Sequence, residues 1–138
     1  MPSDEEVAKM HWRDRYEYEA KLEGQRLSKE SEQQLLKRVK NGKLDFYFQI
    51  WRELGEKGTL ENSALVLLEF LQQYPGENNM HNRYHCAAAL MKIVYGVDTV
   101  GNEEVRAQIQ WDSKGEEVRQ LKLLELREII LSKIGEDD

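Results

Sequence analysis

"NMHNRYHCAAALMKIVYG", residues Asn79–Gly96, is the stretch on which the fold turns. One reading takes His81, His85 and Cys86 as metal ligands. The other takes the whole segment as an apolar helix enclosed by its neighbours. His81 and His85 stand at i and i+4 and share a helix face, whereas Cys86 follows His85 by one residue, roughly 100° further round. A zinc-protease helix would carry a glutamate beside the first histidine. Asn82 stands there instead, and no third ligand is identifiable. Tyr84, Cys86, Ala87 to Met91, and Ile93 to Tyr95 cover most of the circumference, the pattern of a helix sandwiched between others. Packing is therefore the leading reading, with a metal at His81 and His85 as the minor alternative.

Outward from this segment, the punctuation is helical throughout. Only two prolines occur, the glycines fall between periodic segments, and nothing alternates with period two for long enough to make a strand. Ser3 with Glu6 resembles a capping box and opens a first helix expected to run to about Leu22, ahead of Gly24. A second helix is expected between about Ser28 and Asn41, with Leu35, Leu36 and Val39 inward and Gly42 as its stop. Leu44, Tyr47, Phe48, Trp51 and Leu54 recur at helical spacing and predict a third, ended by Gly55 and Gly58. Thr59 caps a fourth, striped by Leu60, Ala64, Leu67, Leu68 and Leu71 and terminated by "YPGENN". After the segment quoted above, a short helix is expected over about Asn102–Trp111. A last one is capped by Ser113 and Glu116 and stops at Gly135.

Composition narrows the function. A chain of 138 residues is one ordinary domain that buries a working core without disulfides. Acidic side chains number 26 against 20 basic, a net charge of −6, so the field repels phosphate backbones and acidic membranes. Nucleic acid is not an expected partner. No run approaches the ~18 apolar residues of a membrane helix, and the charged N-terminus lacks the apolar core of a signal peptide. With one cysteine, which forms no internal disulfide, the expectation is a cytoplasmic protein.

Paired helices invite a search for periodicity, because stacked repeats bury their apolar faces only against one another. Leu54, Leu90 and Leu126 recur at intervals of 36, Arg83 and Arg119 share that step, and Leu35 is carried to Leu71 and Ala107. "LVLLEFLQQYPGENNMHNRYHCAAALMKI", Leu65–Ile93, resembles a HEAT-type repeat of the armadillo-like α-solenoids. It has an apolar first helix, a short turn, then an arginine followed by small residues and a leucine. "EEVRQLKLLELREI", Glu116–Ile129, is similar to the second helix of another repeat. "DFYFQIWRELGEKG", Asp45–Gly58, keeps the Leu54-Gly55 ending but has aromatics where small residues are usual. The resemblance spans about Ser28 to Ile134. It implies an all-α, right-handed stack of about three antiparallel helix pairs (residues 28–58, 59–96 and 102–135) with an additional N-terminal helix over residues 1–24.

No residue pattern demands catalysis. Cys86 sits in an apolar run where a thiol behaves as a small hydrophobe, the glutamate pairs lie near helix starts where they complement the dipole, and neither "GEKG" nor "GVDTVG" has the spacing of a phosphate loop. In a HEAT-like stack the second helices line the concave face, which carries binding. The 36-residue register takes Asp45, Gln49, Arg52 and Glu56 to His81, His85, Ala88 and Lys92, and then to Glu117, Leu121, Leu124 and Glu128. The polar members, Asp45, Gln49, Arg52, Glu56, His81, His85, Lys92 and Glu128, are the expected partner-binding residues, with Leu121 and Leu124 as an apolar end. The expected function is stoichiometric protein binding without a cofactor, as an adaptor, inhibitor or immunity-type partner. The alternatives are a second copy bound through Trp12, Tyr16 and Tyr18, and an enzyme or enzyme subunit such as a HEAT-like lyase that attaches tetrapyrroles to proteins.

Overall fold

The computed structural model describes residues 3–73, 80–96 and 116–136, and every regular element among them is helical. None of these helices is long and apolar enough to cross a membrane.

The expected first helix is two. Ser3 caps α1 (Asp4–Lys9) by accepting a hydrogen bond from the Glu6 N–H at 3.2 Å. Met10 is then extended, and His11 opens α2 (Trp12–Leu27) with its Nδ1 accepting from the Arg13 N–H. Gly24, read as a stop, lies inside α2. A Cβ there would come within 3.0 Å of Gln49 Oε1, so this glycine serves the close approach of α2 to α4 (Gln49–Lys57).

α3 (Glu32–Lys40) starts later than expected because Ser31 and Gln34 form the capping box, at 3.2 and 2.8 Å. In the turn before it, the carbonyls of Ser28 and Glu30 accept from Lys57 Nζ at 2.5 and 2.8 Å. Leu35, Leu36 and Val39 are buried as expected. α4 also starts late. Leu44 and Tyr47 precede it, because the Asp45 side chain binds backbone N–H groups that an earlier helix would have used.

Thr59 caps the next segment by accepting from the Asn62 N–H at 3.2 Å. Its first turn, Leu60–Ala64, is π-helical and runs directly into α5 (Leu65–Gln73). Glu32 explains how that turn is held: its carboxylate accepts from the Thr59 N–H and from the hydroxyls of Thr59 and Ser63, the last two at 3.1 and 2.5 Å. α6 (Met80–Tyr95) is the segment quoted at the outset, with Cys86, Ala87, Ala89, Leu90, Met91 and Val94 buried. α7 (Glu116–Glu136) passes through Gly135 instead of stopping before it. The expected short helix over about Asn102–Trp111, the Ser113 cap and "YPGENN" lie outside the described residues.

The core forms where α6 meets both α4 and α5, and α3 packs on α4 and α5. Trp51 is fully enclosed. Its indole N–H donates to Asn82 Oδ1 at 3.0 Å, and its ring lies 4.8 Å from Phe70. Leu54, Leu90 and Leu126 are all buried, as are Arg83 and Arg119. Arg83 Nη1 donates to the Leu71 carbonyl at 2.6 Å and the Cys86 thiol donates to the Leu67 carbonyl at 3.4 Å, which fastens α6 to α5. α7 packs against α5 and the π turn.

Candidate functional site

The turn before α4 builds the site. Asp45 accepts from the N–H groups of Tyr47 (3.1 Å), Gln49 (2.9 Å) and Ile50 (2.8 Å), and so satisfies donors that a helix start leaves without partners. Held in this way, the chain enters α4 through Phe48 with φ 60° and ψ 18°, a left-handed conformation that is rare for a bulky residue. The Phe48 ring stacks on His85 of α6, centroids 4.9 Å apart and planes 16° from parallel, and lies 6.0 Å from His81. Phe46 is thrown outward and is 76% exposed.

Tyr47 turns toward α2. Its ring meets Tyr16 and Phe46 edge-on at 5.1 and 5.2 Å, and its hydroxyl donates to Glu19. That bond lowers the Glu19 carboxyl and raises the Tyr47 phenol from their ordinary values, and Arg15, 3.0 Å from Glu19, adds to the first effect. Burial lowers the His85 imidazole, the neighbouring His81 lowers it further, and Asp45 opposes both.

Between these elements opens a cleft of about 530 Å³ bounded by Tyr16, Leu44, Phe46, Phe48, His81 and Asn82, with Asp45 in its lining. Tyr16 also borders a second groove, of about 460 Å³, where Glu17 and Lys21 of α2 face Arg52, Glu53 and Glu56 of α4. The first recess is aromatic and the second is of mixed charge.

The expected partner-binding residues are brought together only in part. Asp45 lies ahead of α4 and is engaged as its cap, so it does not belong to an exposed helical line. Gln49 faces Gly24 and donates to the Tyr47 carbonyl at 3.3 Å. Arg52 and Glu56 are exposed, 3.9 Å apart. His81 is exposed and His85 half-buried against Phe48. Lys92 is exposed, with its Cδ passing close to Gly55 of α4. Glu128 is exposed on α7, which makes no substantial contact with α4, so the third step of the register does not prolong this surface. Leu121 and Leu124 are 61% and 51% exposed, on α7 as well. Of the residues considered for self-association, Trp12 is 69% and Tyr16 40% exposed, and Tyr18 is half-buried.

The aromatic wall of Tyr16, Phe46 and Phe48 did not enter the expected site. The available signal was "DFYF", three consecutive aromatics directly after an aspartate that competes for the backbone. Cys86 and His85, adjacent in sequence, serve different neighbours, the thiol facing α5 and the imidazole facing α4. Burial pushes the Cys86 thiol well up, more than Arg83 pulls it down, so it is not a ready nucleophile. Among the described residues no group of three His, Cys, Asp or Glu side chains is placed to hold a metal ion.

No protein-family model, curated protein or solved structure matches the chain.

Proposed function

We propose that the chain is a small, non-catalytic protein-binding module, an adaptor, inhibitor or immunity-type partner, that holds a segment of another protein against the face built by α2, α4 and α6. One observation carries the reading. Tyr16 and Phe46 stand open to water beside a cleft of about 530 Å³, next to a groove of mixed charge. An aromatic pocket with a polar rim is the arrangement on which protein interfaces concentrate their binding energy.

The framework of this reading is a HEAT-like stack. Contacts at successive heights support it: Tyr47 with Glu19, Gln49 with Gly24 and Lys57 with Ser28 run α2 and α4 in one direction. Phe48 with His85 and Gly58 with Ile93 do the same for α4 and α6. Leu71 with Arg83 and Leu67 with Cys86 run α5 against α6, as in a helix pair. Stacked in this way, the face is rigid and is presented without rearrangement. A cytoplasmic setting accords with Cys86 as a buried free thiol.

The test is affinity capture with the full chain and with a variant carrying Arg52→Glu and Lys92→Glu. A stoichiometric protein retained by the first and lost by the second, at equal helicity, supports the reading. Retention at unchanged affinity removes this face from it.

A further inference from the structure

We propose that Asp45, Phe48 and the pair His81 and His85 form an acid-sensitive latch on the cleft. When His85 takes up a proton, Asp45 turns from its backbone partners toward the imidazolium, Phe48 leaves the stack, and the wall it forms opens. The device acts on the cleft itself and stands whether or not that face holds a protein.

The surroundings of His85 suit its neutral form. The half-buried ring lies flat on Phe48 at 4.9 Å and meets Tyr84 edge-on at 5.2 Å. Its nitrogens make no hydrogen bond to another described residue. An imidazolium carries two N–H donors, and burial without acceptors disfavours its charge. The phenyl face would attract a cation, but by less than charged donors lose when they give up water without a partner. Burial is accordingly the first cause that holds the His85 imidazole below its ordinary value, and His81, one turn earlier on the same face, is the second. Neither imidazole belongs to a metal-holding group among the described residues.

Asp45 opposes both, and it is also the group that holds the turn. Its carboxylate accepts from the N–H groups of Tyr47, Gln49 and Ile50, and so keeps Phe48 at φ 60°. One carboxylate thus answers two claims. While His85 is neutral the backbone holds it. Once His85 is charged, a charge-assisted bond to the imidazolium competes for the same oxygens. A strained residue at the end of an element is the natural hinge, and Phe48 is that residue, since a side chain with a Cβ gains by leaving the left-handed region. Phe48, Asp45 and His81 all line the cleft of about 530 Å³, so the change reaches its wall directly. The other titratable and charged groups nearby are the Tyr84 phenol on α6, Arg52, exposed beside Glu56 on α4, and Tyr16 of α2 across the cleft. None of them is bound to the turn. Protonation of clustered histidines acts as a switch where it biases an element with two arrangements, and the Asp45 cap supplies that element.

The test follows the ¹³C,¹⁵N-labelled full chain by NMR from neutral pH downward until the His85 ring signal has titrated. In step with that titration the contact between the Phe48 and His85 rings should disappear. Hydrogen-exchange protection of the Gln49 and Ile50 N–H groups should fall roughly tenfold or more, while the buried Leu54 and Leu90 keep theirs. His81→Gln should move the midpoint of the opening to higher pH, because it removes a like charge. Asp45→Asn should move the His85 titration to lower pH, because it removes the opposite one. In His85→Asn the protection of Gln49 and Ile50 should no longer depend on pH over the same range. Rings still in contact after His85 is charged, protection lost at Leu54 and Leu90 in the same step, or an opening unchanged in His85→Asn would overturn the proposal. If His85→Asn does not fold, His81→Gln decides: a midpoint displaced upward supports the latch, and an unmoved one overturns it.

Discussion

Phe48 lies flat on His85, ring centroids 4.9 Å apart, and this stack joins the strained entrance of α4 to the middle of α6. The cap by Asp45 fixes the backbone from one side and the stacked ring fixes it from the other. A left-handed conformation costs a side chain with a Cβ roughly 1–2 kcal/mol, and here both contacts offset it.

Substitutions at Phe48 separate the two terms. Phe48→Ala removes the ring and keeps the backbone cost, whereas Phe48→Gly removes both. Glycine should therefore be the more stable of the two by about 1 kcal/mol, the reverse of the order inside a helix. Urea unfolding of the pair measures this, and an alanine variant as stable as the glycine one would show that the turn is not strained.

His85 gives stability a dependence on mild acid. Its folded value lies below the ordinary 6.5, through burial first and His81 second. Well above 6.5 both folded and unfolded forms are neutral and nothing changes. As pH falls below 6.5 the unfolded chain takes up the proton before the folded chain does, so stability declines. Replacing the imidazole by His85→Asn should flatten the decline that sets in as pH falls below about 6.5. An unaltered slope in that window would place its origin elsewhere.

Glu32 acts in a lower window. Burial alone would raise its carboxyl, but the hydrogen bonds from Ser63, Thr59 and Asn62 outweigh burial and hold it below the ordinary 4.5. Its contribution is thus present above 4.5 and lost as pH falls through the lower, folded value. At neutral pH Glu32→Gln should cost about 1 kcal/mol, a modest figure because the group is partly exposed. The cost should vanish in strong acid. Equal destabilisation at both extremes would mean that the carboxylate charge plays no part at the π turn.

These residues also show where the sequence could be read and where it could not. Ser3 and Thr59 cap helix starts where they were expected to, since a cap is decided within four residues, although the helix that Ser3 opens ends at Lys9 and not near Leu22. The all-round apolar character of Asn79–Gly96 correctly indicated a helix buried from two sides. The start of α4 was misplaced because Leu44, Tyr47 and Phe48 keep a helical spacing while Asp45 diverts the backbone, and spacing does not register a side-chain competitor. Gly24 looks like a stop in the sequence but serves the approach of Gln49, 25 positions away, which local spacing does not register. The aromatic cleft depends on the same long-range approach of α2 to α4. Glu128 was grouped with His81 by a repeat step that assumed α7 would pack as α6 does, and α7 instead lies against α5.

Two glycines test that lesson together. At Gly58 the backbone is ordinary, with φ −62° and ψ 140°, so no conformational reason forbids a side chain. Space forbids it: a Cβ would lie 2.4 Å from the Leu54 carbonyl oxygen and 2.7 Å from Ile93 Cδ1. Gly58→Ala should therefore destabilise the protein by about 1–3 kcal/mol, the usual cost of overpacking. It should do so by prising α4 from α6, with the Phe48–His85 stack disturbed at the same time. At Gly135 a Cβ meets nothing within 4 Å, and the residue is exposed inside α7. Gly135→Ala should instead stabilise by up to roughly 0.5–1 kcal/mol, less where the helix end frays. Thermal unfolding of both variants measures the contrast. Two changes of the same sign would show that helix propensity governs both positions, and the close contact of Gly58 with Ile93 would then carry no weight in joining α4 to α6.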